Sequence, residues 1–123
     1  MIIELKKISK SKKSFSIKKD GLEFSGEFYR IDPKSVVVDA TLKGKLDVLC
    51  VRTLDNFQRD VDEEFHFLIY EGEFRGFNKT YDVIESFDGL IDFDYILDSE
   101  IELLRDDYNR LSNDEDEFVY KED

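Results

Sequence analysis

The sequence predicts an α+β fold: a curled antiparallel β-sheet of about six or seven strands, approaching a partly closed barrel, with one C-terminal amphipathic helix. Three observations carry that expectation. Eleven Phe and six Tyr in 123 residues, with no Trp and one Met, give a composition suited to pleated, half-buried surfaces. Apolar and polar residues alternate over most of the first 85 positions, the period of a strand with one buried face. Beyond Asp92 the period changes to that of a helix.

The elements follow in order. Met1–Ile8 reads as a short strand with Ile3 and Leu5 on one face, and Ser9–Ser14 as a polar loop. Phe15 and Ile17 alternate with serine and lysine, and Lys19-Asp20-Gly21 is a hairpin turn signal. Leu22, Phe24 and Phe28 carry the next strand, which Pro33, the chain's one proline, breaks. Val36, Val38, Ala40 and Leu42 then share a face opposite Val37, Asp39, Thr41 and Lys43. Lys43-Gly44-Lys45 suggests a bend or bulge before Leu46, Val48 and Cys50 resume the alternation. A long strand runs from Val61 to Tyr70, with Val61, Phe65, Phe67 and Ile69 on one face and Glu64, His66 and Tyr70 on the other. Residues 71–80 read as an exposed loop, 81–85 as a last short strand, and Phe87-Asp88-Gly89 as a turn. Phe93, Leu97, Ile101, Leu104, Tyr108 and Leu111 then form one helical stripe, with Asp92 as N-cap and Asp94 in the first turn.

Residues 1–111 are expected to form a single domain, because the length and an apolar content of 41% suit one core, and 112–123 an acidic, flexible tail. With one cysteine there is no internal disulfide. No signal-peptide start or membrane-length apolar run is present, so a reduced, cytoplasmic setting is expected. The net charge of −12 is unevenly spread. Residues 1–20 hold seven lysines against Glu4 and Asp20, while the other 103 residues hold 11 basic and 28 acidic groups. Such a chain repels nucleic acid at long range. Lys6, Lys7, Lys10, Lys12 and Lys13 are the candidate RNA contacts; the alternative is that they solubilise an edge strand.

No catalytic centre is expected. His66 is the single histidine, and no serine sits in a nucleophile-elbow pattern. A solvated surface histidine is favoured over a catalytic one. Cys50 and His66 supply at most two zinc ligands, and neither EF-hand spacing nor a phosphate-binding loop occurs, so no metal, cofactor or small-molecule substrate is expected. Cys50 has Arg52 two residues on, which would favour a thiolate, but its apolar phase predicts a buried, inert thiol.

Within the stretch from Val36 to Phe57, an apolar strand and a glycine-containing bend lead to Cys50, Arg52, Leu54 and Phe57. This stretch resembles the signature of the YceD family, the large ribosomal RNA subunit accumulation proteins of bacteria and plastids. The resemblance extends over roughly residues 22–110 through the following strand, loop, short strand and helix start. Thr53 stands where the family has a second cysteine, so a role needing two thiols is not carried over. The resemblance implies a part in the synthesis, processing or stability of large-subunit ribosomal RNA, with no known catalytic activity. Arg52 is then either a structural ion-pair former or a contact residue. An acidic domain is better suited to a basic ribosomal protein or assembly factor than to RNA. The candidate partner surface is the helix and tail, with Asp98, Glu102, Asp106, Asp107, Phe118 and Tyr120. Direct RNA binding through the lysines, and a thiol enzyme or redox protein using Cys50, are the alternatives.

Overall fold

The computed structural model describes residues 1–49, 53–76 and 78–122, with side chains described as far as Asp107 in the C-terminal helix. The chain order is β1 (Ile2–Glu4), a 3-10 turn (Leu5–Lys7), β2 (Lys13–Lys19), β3 (Leu22–Asp32), β4 (Ser35–Leu49), β5 (Asn56–Glu71), β6 (Asp82–Ser86), β7 (Leu90–Asp92) and α1 (Phe93–Glu122). A five-stranded sheet has the order β2-β3-β4-β5-β6, and β1 and β7 form a separate pair. The fold is therefore α+β, with a curled sheet and one C-terminal helix.

The hairpin between β2 and β3 turns on Asp20 and Gly21, both at positive φ (52° and 81°), as a two-residue loop matched to strand twist requires. β3, β4 and β5 are antiparallel neighbours, and β4 lies against β5 without interruption from Ser35↔Tyr70 to Leu49↔Asn56. Even-numbered residues of β4 therefore face the core from Val36 to Val48.

Several expectations need correction. The sheet is mixed, because β6 lies parallel to β5, and it is not closed, since β2 and β6 are both edges. The connection between Glu71 and Asp82 carries the chain back to begin β6 beside Phe67, which a tight hairpin would not do. Lys43-Gly44-Lys45 interrupts nothing: Gly44 pairs with both Leu22 and Val61, and its φ of 139° brings it so close to β3 that a Cβ would meet the Gly21 carbonyl at 2.2 Å. The bulge lies instead in β3, between Arg30 and Asp32. β5 begins at Asn56, before the expected Val61, and β1 ends at Glu4, where the 3-10 turn takes over.

The core lies between the sheet's inner face and α1. Phe93 and Leu97 are fully buried and Ile101 nearly so, as the helical stripe predicts; Ile96 widens it and Leu104 packs at its margin. The Phe93 ring lies 4.5 Å from that of Phe15 and 5.6 Å from that of Phe28, so aromatic contacts fix the start of the helix against β2 and β3. Asp92 caps the helix, its Oδ1 accepting the Tyr95 amide at 3.1 Å.

The half-buried Arg30 holds the N-terminal segment in place. Its guanidinium donates to the carbonyls of Leu5, Ile8 (2.9 Å), Asp32 (3.1 Å) and Pro33 (3.0 Å). Arg30→Ala should cost about 1–3 kcal/mol by leaving carbonyl oxygens unpaired. Hydrogen exchange should then accelerate across residues 5–9 while the β4–β5 amides keep their protection; uniform acceleration would contradict a local role. Ile101→Asp places a charge where full burial of the isoleucine is worth about 1.5–3 kcal/mol. Its melting temperature should fall sharply, and an unchanged one would refute the packing of α1 described above.

Candidate functional site

The outer face of the sheet carries the polar cluster that the fold assembles from distant positions. Register places Glu27, Asp39 and His66 in one row across β3, β4 and β5, and Ser25, Thr41 and Glu64 in the next. His66 Nδ1 lies 2.9 Å from Asp39 Oδ1, and the Tyr29 hydroxyl donates to Asp39 Oδ2 at 3.4 Å. Burial first, and then the negative charge of Asp39, raise the Tyr29 pKa, which keeps the hydroxyl a donor. The Lys12 ammonium sits 5.2 Å from the centre of the Tyr29 ring.

Two shallow concavities of about 320 and 490 Å³ adjoin at Glu64 and His66. Asp39 and Thr41 line the first, and Asn78, Lys79 and Tyr81 the second. Chemically, the surface offers the carboxylate acceptors of Asp39 and Glu64. It therefore matches cationic hydrogen-bond donors such as lysine and arginine side chains. Among the described residues, no group of three or more His, Cys, Asp and Glu side chains is arranged to hold a metal ion.

The described residues among those singled out from the sequence are scattered over the fold. Cys50 and Arg52 lie outside the described residues. Leu54 lies between β4 and β5 at a positive φ of 62°, with its side chain 73% exposed. Phe57 pairs with Val48 and packs against the core, under the Arg59 guanidinium at 5.2 Å. Lys6 and Lys7 reach Glu4 at 3.6 and 3.9 Å. Lys12 and Lys13 stand at the start of β2, which is an edge strand.

On α1, Asp98 pairs with Lys19, and Asp94 pairs with the Met1 ammonium. Glu102, Asp106 and Asp107 are exposed, whereas the side chains of Phe118 and Tyr120 lie outside those described. No helix among the described residues is long and apolar enough to cross a membrane.

With this geometry in view, the chain matches no protein-family model, and no curated protein or solved structure matches it. The site is accordingly read from its own residues. Sequence reasoning put Asp39 and His66 on polar strand faces but did not join them. The signal that joins them is the β4–β5 register.

Glu100, on the first turns of α1, is half-buried. Burial, and secondarily the like charge of Asp82, push its pKa above the ordinary 4.5. A carboxyl with a raised folded-state pKa destabilises the fold as pH rises through 4.5, and fully so above the folded value. Glu100→Gln should thus raise the melting temperature at pH 7, and that gain should vanish below pH 4.5. An equal gain at both pH values in thermal melts would show that charge burial is not its source.

Proposed function

We propose that this chain is a non-enzymatic, cytoplasmic ribosome-biogenesis factor that supports large-subunit ribosomal RNA by binding a basic ribosomal protein or assembly factor. The observation that carries the reading is the cluster of Glu27, Asp39 and Glu64, in two adjacent rows on the outer face of the sheet and flanked by concavities of side-chain size. The exposed Glu102, Asp106 and Asp107 add further acidic groups on α1. Complementary charge of this kind speeds encounter and selects basic partners. The ribosomal setting is supported by the YceD-like stretch ending in Leu54 and Phe57.

The test is affinity capture from cell extract, with and without ribonuclease, using wild type and the exposed-face variant Glu27→Lys/Glu64→Lys. Ribosomal proteins or assembly factors should be recovered after ribonuclease treatment and fall about tenfold with the variant, a change of about 1.4 kcal/mol. Loss of all ribosomal material on ribonuclease treatment would favour RNA contact through Lys10, Lys12 and Lys13. Absence of ribosomal proteins from both samples would overturn the reading.

A further inference from the structure

The inner face of the sheet is left open at β6. Between this strand, β7 and the first turns of α1 lies a cavity of about 550 Å³. Ile69, Ile84, Ile91 and Ile96 line it, while Phe87 and Tyr95 at its rim are 76% and 70% exposed. Large apolar side chains held in water around an apolar groove mark an interaction surface. Among the described residues no strand pairs with the outer edge of β6, so an unpaired strand edge runs beside the groove. Strand addition uses these two parts: main-chain partners on an edge, and pockets that receive alternate side chains.

Charge selects the occupant. Glu85, Asp88 and Asp92 line the cavity, and no lysine or arginine does. A second copy of the chain would bring the same carboxylates to the interface, with a net charge of −12 on each molecule. A basic segment would meet complementary charge there instead. The two edges of the sheet also differ. β2 carries Lys13, Lys18 and Lys19, the kind of side chain that blocks edge pairing, whereas β6 carries no lysine.

We infer that the β6 edge and the isoleucine-lined groove dock an extended segment of a basic protein. That segment adds to the sheet as a sixth strand, with alternate apolar side chains in the groove and lysine or arginine beside the carboxylates. The inference rests on the reading of this chain as a binder of basic proteins, and it adds where the partner's backbone lies.

Three labelled synthetic peptides test it, alternating lysine with valine, lysine with serine, and glutamate with valine. Binding is followed by fluorescence anisotropy and by the amide resonances of the full chain. The lysine–valine peptide should bind, shift the amides of Asp82–Ser86 and slow their exchange with solvent. The double variant Phe87→Ser/Tyr95→Ser replaces two exposed side chains and should weaken that binding about tenfold, as should the change to lysine–serine. Equal binding to wild type and double variant, or shifts confined to the outer face or to α1 beyond Ile101, would overturn the groove while leaving the binding of basic proteins standing. Equally tight binding of glutamate–valine would overturn the choice of a basic occupant. If neither lysine peptide binds, the groove and the reading beneath it both fall.

Discussion

The pairing of β4 with β5 is the constraint on which the rest of the molecule depends. It is the longest ladder in the sheet, and side chains alternate faces along both strands. Slipping it by one residue would turn Phe67 and Ile69 outward and carry His66 away from Asp39. The same ladder places β3 on one side and β6 on the other, so both the polar outer face and the open apolar corner are set by one register. Gly44 contributes by having no side chain where β3 and β4 approach each other.

Much of this fold was legible because periodicity reports burial directly. The helical phase of Phe93, Leu97 and Ile101, and the alternation through Val36–Leu42 and Phe65–Ile69, each identify the side chains that meet in the core. What was not legible depends on partners rather than on pattern. β7 is three residues, too short to show a period, and it exists because it pairs with β1. The parallel placement of β6 follows from the path of the preceding connection, which alternation within β6 does not encode. Arg30 looks like any strand arginine until the fold brings the carbonyls of Leu5 and Ile8 to it. The outer-face cluster was half legible: each residue's face could be read, but not which residues would become neighbours.

Charge is segregated in space as it is in sequence, and part of the excess does structural work. Lys19 at the end of β2 meets Asp98, and the Met1 ammonium meets Asp94, so two of the helix's carboxylates tie α1 to the basic N-terminal segment. The hydrogen bond to Asp98 is the first cause of the raised Lys19 pKa, keeping that ammonium charged. Carboxylates on the outer face and farther along α1 lie away from these ties, leaving an acidic surface on a chain whose cations are concentrated near its start.

The contacts of Met1 bear on how the protein is made. Its ammonium meets Asp94, 93 residues later, its carbonyl accepts the Phe93 amide at 3.0 Å, and β1 waits for β7. At translation rates of about 5–20 residues per second, these residues would stand without their partners for about 5–20 s after their own synthesis. During that interval β2–β5 can pair in order as they emerge, but Phe15 and Phe28 lack the ring of Phe93 that later packs against them. The nascent chain would therefore pass through a stage with an exposed aromatic face. Closure at high sequence separation, rather than formation of the central hairpins, would set the moment at which it becomes safe from aggregation.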